Sequence, residues 1–343
     1  MTLSEKPALQ LAVIGSGLGS APHFRSLEDL ADQVAVRWVH SRDAQRLAAK
    51  PLPASWRKTS RLQDILEDPN VHAALVLTPP NTHLDIVRQL ARAGKHVLVE
   101  KPLDISLARA TDMVDVCESS GVFLGVMLQH RLRGAALALA GLIAGGELGR
   151  LLSANVSVRW WRPQSYYDEP GRGSLARDGG GVLMTQAIHT LDLFLSLAGL
   201  PQRVTGVVRT SFHRMEGEDT AAALLDYDNG AVASLQATTA AFAGFPERIE
   251  MNFSQGSATL ASGRLDVQFV NGSHFSYGAS ESSGAGADPM AFDHAAHRAV
   301  LEDFLAAVQT GRQPAVSGRS ALRVQRVIEA IVTSSATGAA VTV

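Results

Sequence analysis

Cysteine is almost missing from this chain: its 343 residues contain one, Cys117. No disulfide can form within the chain, and a cysteine-based zinc site is excluded. Cys117 falls in the helical stretch TDMVDVCESS, where it reads as a small buried apolar residue and not as a nucleophile. An excess of either charge is missing too. Lys and Arg number 31 against 33 Asp and Glu, a net charge of −2, and the basic residues never form a long run. That excludes a general attraction to nucleic acid or anionic lipid. No apolar run approaches about 18 residues, so no membrane span is expected. The opening MTLSEKPALQLAVIG has no basic segment followed by a long apolar run, so no signal peptide is expected, and the cytoplasm is the expected location.

What is present suits a large folded core: 46% hydrophobic and 19% charged residues. The length favours two domains. Residues 9–14, 34–39, 73–77, 96–99 and 122–127 read as short apolar strands separated by helical stretches, among them 83–93 and 106–119. Glycines at 94 and 121 close those two helices. This alternation predicts a Rossmann-type, doubly wound parallel sheet covered on both faces, over residues 1–127.

The first strand ends in Gly15-Ser16-Gly17-Leu18-Gly19-Ser20, a G-x-G-x-x-G/A pattern closed by serine. Gly15 permits a tight turn, Gly17 a close approach of pyrophosphate to backbone, and the following helix offers free N–H groups. Plain turns also use glycine, but the place between strand and helix favours dinucleotide binding. The second strand exits as Val39-His40-Ser41-Arg42-Asp43. Ser41 stands where NAD-binding chains tend to carry an acid, and Arg42 follows. A hydroxyl and a guanidinium suit a 2′-phosphate, so NADP is favoured over NAD. The plainer alternative makes Arg42 a solvated loop charge and Asp43 a helix cap.

These motifs, with Thr78-Pro79-Pro80-Asn81-Thr82-His83 and Glu100-Lys101-Pro102, resemble the Gfo/Idh/MocA oxidoreductases, the glucose–fructose oxidoreductase and inositol dehydrogenase family. The resemblance runs on through Gly146-Glu147-Leu148-Gly149, through Gly179-Gly180-Gly181 to His189 and Asp192, and to Asp303-Phe304 and the final Ala340-Val341-Thr342-Val343. A narrower likeness, to sugar-nucleotide 3-dehydrogenases, lies in Trp160 to Tyr167 with Arg172-Gly173.

From about residue 151 the texture changes to successive strand-like runs: 153–160, 203–212, 220–226, 231–239, 247–253, 257–260 and 265–270. Tyr227-Asp228-Asn229-Gly230 is a hairpin signal, since asparagine and glycine accept positive φ. The second domain, 128–343, is therefore expected to be α+β with a large open, mostly antiparallel sheet, interrupted by a helix at 185–198. The last helix and tail are expected to return against the first domain. Residues 278–288, rich in Gly, Ser and Ala, read as a loop. The resemblance implies that the open sheet packs on another subunit, giving a homodimer or homotetramer.

Lys101 leaves a parallel sheet at a strand's carboxyl end, where ligands bind in doubly wound folds. Pro102 restricts it to extended backbone, which fixes the starting direction of its side chain. A surface pair of Glu100 and Lys101 explains the position alone equally well. The resemblance implies that Lys101 hydrogen-bonds a substrate oxygen and that the Lys–Pro bond can be cis. His189 follows Thr185 by four residues and precedes Asp192 by three, so all three share one helix face. An imidazole titrates near neutrality and can take or return a hydroxyl proton. Many family dehydrogenases carry aspartate where this chain has Thr185, which can bond substrate or histidine but adds no negative charge. Asp192 is expected to orient His189 or to serve the fold.

Further expectations follow from strand ends. Thr78, Pro79, Asn81, His83 and Glu100 are placed on the cofactor side. Gln129, His130 and Arg131 are placed facing the cleft, with Gln129 and Arg131 on substrate. Arg162, Tyr166, Tyr167 and Arg172 are candidates for sugar hydroxyls, a phosphate or a carboxylate. His294 and His297 stand three apart on a helix, but with no third ligand evident they read as solvated, and no metal is expected. The activity implied is hydride transfer between nicotinamide and a hydroxyl or carbonyl of a sugar or polyol. The rival readings are an NAD-dependent glycoside hydrolase working by transient oxidation and elimination, and a non-catalytic regulator that binds cofactor or sugar.

Overall fold

The structure, a computed structural model, describes residues 9–279, 285–286 and 293–343. Two compact units divide the chain. One comprises the residues to Asp104, Ala108–Met127 and His294–Ser320; the other comprises Ile105–Leu107, Leu128–Asp293 and Ala321–Val343. The sequence reading places all of 128–343 in the second domain, with the last helix returning to the first. It is the stretch 294–320 that counts with the first unit, and everything after Ser320 counts with the second.

The first unit runs β1 (Leu9–Ile14), α1 (Ala21–Asp29), β2 (Val34–His40), α2 (Ala44–Ala49), β3 (Arg57–Thr59), α3 (Gln63–Leu66), β4 (Ala73–Val76), α4 (His83–Arg92), β5 (His96–Val99), α5 (Leu107–Ser119) and β6 (Leu124–Val126). Its six strands are parallel and ordered β3-β2-β1-β4-β5-β6. The order therefore reverses beside β1, and the switch point lies between β1 and β4. All of β4 is buried, as a strand covered on both faces must be. Ile14 aligns with Val76, Val76 with Val99 and Val99 with Val126. The segments that follow these four residues thus leave the sheet side by side at its carboxyl edge. The sequence reading missed β3 and the short α3, and anticipated α2 only through Asp43 as a helix cap. Cys117 is buried on α5, and burial pushes its thiol up to about 12.

The second unit contains α6 (Gly134–Ala144), β7 (Leu151–Arg159), α7 (Gln164–Tyr167), α8 (Leu175–Asp178), a π-helical turn (Leu183–Ala187), α9 (Ile188–Ala198), β8 (Arg203–Arg209), β9 (Thr220–Asp226), β10 (Val232–Thr238), β11 (Arg248–Phe253), β12 (Gly256–Ala261), β13 (Arg264–Phe269) and β14 (His274–Tyr277). After α10 (Ala295–Thr310) of the first unit, α11 (Gly318–Thr337) leads to β15 (Val341–Thr342). The nine strands are ordered β14-β13-β12-β11-β7-β10-β9-β8-β15, and only the β7–β10 pair is parallel. Gly230, at φ +80°, closes the β9–β10 hairpin as its sequence requires. Along β9, Ala221, Ala223 and Leu225 are buried while Ala222 and Leu224 are exposed, the alternation of a one-sided sheet. The expected strand at 203–212 stops at Arg209. The N–H groups of Ser211, Phe212 and His213 instead donate to the Asp219 carboxylate at 2.8–2.9 Å. β14 was not anticipated.

Of the 278–288 loop segment, 280–284 and 287–288 lie outside the described residues; the rest carries no helix or strand. Among the described residues one stretch, Leu175–Ala198, is long and apolar enough to cross a membrane, and 78% of its most apolar window is buried in the protein.

Candidate active site

On the first unit the glycine turn is built as its motif demands. Gly15 has φ +106°, and a Cβ there would stand 2.8 Å from the Leu77 carbonyl group, so glycine is required twice over. A Cβ on Gly17 or Gly19 would meet nothing within 4 Å. That open face in front of a helix start fits a pyrophosphate. Ser16 is buried and its hydroxyl has no hydrogen-bond partner among the described residues, while Leu18 opens a 3-10 turn that leads into α1. Sequence reasoning missed Lys50, just past α2. Its Nζ donates to the Ser16 carbonyl at 2.7 Å and to Ser20 Oγ at 2.8 Å, and lies 4.7 Å from the Phe24 ring centroid. Burial, with Arg46 nearby, lowers its pKa. No short motif marks a lysine that arrives from the end of another helix.

Ser41 follows β2, and its Oγ accepts from the Asp43 N–H at 3.3 Å; Arg42 is exposed, and Asp43 caps α2 through Arg46 N–H at 2.9 Å. The Asp43 cap of the plainer alternative is formed, and Arg42 is exposed.

The turns after β4 and β5 are tied together by His83. Its Nε2 lies 2.7 Å from the Thr78 carbonyl, and its Nδ1 lies 3.0 Å from the Leu103 carbonyl and 3.1 Å from that of Pro102. It is fully buried, and burial lowers its pKa. His83 therefore does not itself line a cofactor surface; it links the Thr78-Pro79 turn to the Lys101-Pro102 turn. Thr82 Oγ1 donates to the Pro79 carbonyl at 2.7 Å, and Asn81 lends its carbonyl to Arg109 at 3.4 Å. The Lys101–Pro102 bond is cis.

Glu100 Oε2 accepts the Lys101 N–H at 3.0 Å, and Oε1 lies 2.7 Å from His23 Nε2. Glu100 is thus not only a neighbour of Lys101: its carboxylate also reaches a buried histidine. His297 is also not the solvated helix residue expected. It is buried on α10, with its ring 5.2 Å from that of His23. His294 instead bonds Asp29 at 2.8 Å.

On the second unit His189 is buried at the start of α9, just after the π-helical turn Leu183–Ala187. Such bulges occur frequently at functional sites. The His130 ring lies 5.1 Å from that of His189. Thr185 Oγ1 donates to the Gly181 carbonyl at 2.7 Å and also meets Gln186. The glycines before it serve a protein contact: a Cβ on Gly181 would fall 1.8 Å from the Glu218 carbonyl oxygen. The Glu218 carboxylate accepts the N–H groups of Gly181 and Leu183, each at 2.9 Å, and burial raises its pKa. Glu218 had no signal in the sequence.

Asp192 does not orient His189; it receives Arg131, whose Nε lies 2.6 Å away. Gln129 is buried, and its Oε1 has no hydrogen-bond partner among the described residues. Arg162 is buried, and its Nη1 donates to the Trp161 carbonyl at 2.8 Å and the Gly286 carbonyl at 2.5 Å. Burial lowers its pKa. Arg172 stacks over Tyr166 at 4.1 Å and pairs with Glu169, and the Tyr167 hydroxyl donates to Thr239 at 2.9 Å. Of the loop candidates Arg162, Tyr166, Tyr167 and Arg172, Tyr166 and Arg172 keep partial exposure.

Residues 9–128 match the model of an oxidoreductase family with an NAD-binding Rossmann fold, and residues 136–259 match the GFO/IDH/MocA C-terminal domain. The structure resembles that of the WlbA dehydrogenase from Bordetella pertussis in complex with NADH and UDP-GlcNAcA, with TM-score 0.84, 26% identity, and 98% of this chain and 99% of that one covered. Myo-inositol 2-dehydrogenase of Thermotoga maritima is 25% identical over 323 residues, 90% of this chain and 91% of the relative. An uncharacterized oxidoreductase of Bacillus subtilis, YrbE, is 26% identical over 222 residues, 63% of each. The chain spans between 54% and 63% of the length of four such curated oxidoreductases. With both domain models matched in order along one chain, the protein belongs to the Gfo/Idh/MocA oxidoreductase family.

Proposed function

We propose that the protein is an NAD(P)-dependent oxidoreductase that moves hydride between nicotinamide and a hydroxyl or carbonyl carbon of a sugar, polyol or sugar derivative, with NADP the preferred cofactor. The observation that carries this reading is the register of the parallel sheet. It brings the glycine turn, the Thr78 turn and Lys101 out side by side at one edge, next to the switch point. The bound nicotinamide supplies the hydride acceptor or donor. In the oxidative direction His189 takes the hydroxyl proton as the adjoining carbon gives up hydride, and the Lys101 ammonium hydrogen-bonds the same oxygen as charge builds on it. Reduction reverses each transfer. Tyr166 and Arg172 are the substrate-binding residues this reading favours beyond those two. Relatives named as dehydrogenases of inositol and of a sugar nucleotide support a carbohydrate substrate. NADP rests on Ser41 and Arg42, where no carboxylate stands to receive ribose hydroxyls.

The test is a carbohydrate panel followed by nicotinamide absorbance, with NAD and NADP run in parallel. Turnover should appear with at least one sugar or polyol, and His189→Ala should lose roughly 10²–10⁴-fold in kcat. A wild-type protein inert across the panel, or a His189→Ala variant of undiminished turnover, refutes the reading.

A further inference from the structure

We propose that His23 and His297 are positioning residues for Lys101, acting through the Glu100 carboxylate; this rests on the role given to Lys101 above. Glu100 uses both oxygens. Oε2 holds the Lys101 N–H at 3.0 Å, and Oε1 meets His23 Nε2 at 2.7 Å. His23 comes from α1, His297 from α10 and Glu100 from the end of β5, so three elements of one unit converge on this carboxylate. His23 and His297 are 2% and 5% exposed, too buried to be surface histidines, and their rings meet edge to face. A ring nitrogen of each histidine and a carboxylate oxygen of Glu100 lie within 4.8 Å of one another.

The charges facing Glu100 are those of His23, Lys101 and His297. Burial alone would favour its neutral form, but the His23 hydrogen bond, aided by the fields of Lys101 and His297, holds the carboxyl down at about 2. Further out along the same helix pair, Asp29 on α1 meets His294 at 2.8 Å and Arg298 at 3.3 Å, which fixes α10 against α1 and so sets where His297 stands. A carboxylate that stays charged keeps its grip on the Lys101 amide. That grip aims a long flexible side chain whose misplacement by about 1 Å can cost about 10²-fold in rate.

Two histidines and a carboxylate are also a possible ligand set for a transition metal. The geometry argues against it. Ligand atoms each about 2.0–2.2 Å from one tetrahedral ion sit more than about 3 Å apart, whereas His23 and Glu100 are at hydrogen-bond distance, 2.7 Å.

The test compares wild type with His23→Leu, His23→Asn and His297→Phe. The Glu100 carboxyl is followed by carbon NMR titration, and kcat/KM by its pH profile, with cofactor affinity measured separately. His23→Leu should raise the Glu100 pKa by about 2 units or more and give kcat/KM a new acid limb, falling about tenfold per pH unit below that pKa. Above it, activity should stay within about threefold of wild type, as should cofactor affinity. His23→Asn, which restores a neutral donor, should recover most of the loss, and His297→Phe should shift Glu100 in the same direction by less. An unmoved Glu100 in His23→Leu, or a loss of kcat/KM equal at every pH, overturns the proposal. So does stoichiometric zinc in the protein with activity lost to a chelator. Wild type without turnover on any carbohydrate would instead refute the oxidoreductase reading itself.

Discussion

Arg131 and Asp192 form a paired contact inside the second unit, through both Nε and a terminal nitrogen of the guanidinium, with Nε 2.6 Å from Oδ2. Asp192 is 1% exposed and Arg131 12%. A two-point pair in such surroundings ties the segment after β6 to α9 beside His189. Removing one member leaves a buried charge without its partner, which typically costs about 3–5 kcal/mol. Asp192→Ala is therefore expected to lower the thermal unfolding midpoint strongly. The fraction that remains folded should keep its cofactor affinity. An unchanged midpoint would show that the pair does not hold α9.

Much of this fold was legible because its signals are local. The apolar runs of β1, β4 and β5 are short, bounded by turn residues and buried on both faces, so periodicity and punctuation agree. The glycine turn and the Lys101-Pro102 segment were legible for the same reason: the side chains that matter sit within a few residues of a strand end. What stayed hidden depends on partners distant in sequence. Lys50 reaches Ser16 across 34 residues, His23 reaches Glu100 across 77, and Arg131 reaches Asp192 across 61. His297 was misread because a helix histidine looks the same whether its face meets water or α1. The carbonyl partners of Arg162 were hidden because a guanidinium can serve backbone as readily as a ligand. The early end of β8 was hidden because the three N–H groups beyond it go to the side chain of Asp219 rather than to a neighbouring strand.

The two cations near the glycine turn should separate by cofactor. Arg42 is exposed beside Ser41, where a 2′-phosphate would meet it. Losing a charge-assisted hydrogen bond costs about 1.5–3 kcal/mol, so Arg42→Ala should weaken NADPH binding by roughly 10–100-fold and NADH by less than about threefold. Lys50 braces the Ser16 carbonyl and Ser20 instead. Lys50→Met should therefore weaken NADPH and NADH alike. Fluorescence titration of both dinucleotides against both variants checks the pair. Equal losses in Arg42→Ala would remove the argument for NADP.

Asp219 gives a pH prediction. Burial works against its charged form, but the N–H groups of Ser211, His213 and Phe212, with the Thr220 hydroxyl, hold its pKa below the usual value of 3.8. A carboxyl depressed on folding adds stability that is fully present above its unfolded pKa and disappears as pH falls through the folded value. Its contribution is thus intact near neutrality and lost in acid, below about pH 4. Asp219→Asn should lower the denaturant midpoint at pH 7, and the gap from wild type should narrow as the pH falls below 4. A gap that stays constant with pH would mean that the loss is steric and not electrostatic.

The outward face of the nine-stranded sheet carries the last prediction. Leu224 is 63% exposed, and Val232 and Val207 are 54% and 48% exposed, on the adjoining strands β9, β10 and β8. Thr205 and Ser234 flank Leu224 in register, so the patch is uncharged at its centre. A second copy of the chain laid over this face would bury that apolar area, at about 25 cal/mol per Å² removed from water. Light scattering after size exclusion should therefore find a homodimer or homotetramer. Leu224→Lys places a charge in the middle of the covered face and should shift the population towards monomer, with the midpoint of unfolding becoming less dependent on protein concentration. A wild-type protein that runs as a monomer at micromolar concentration would leave the sheet without this role. An oligomer untouched by Leu224→Lys would place its contacts on a different surface.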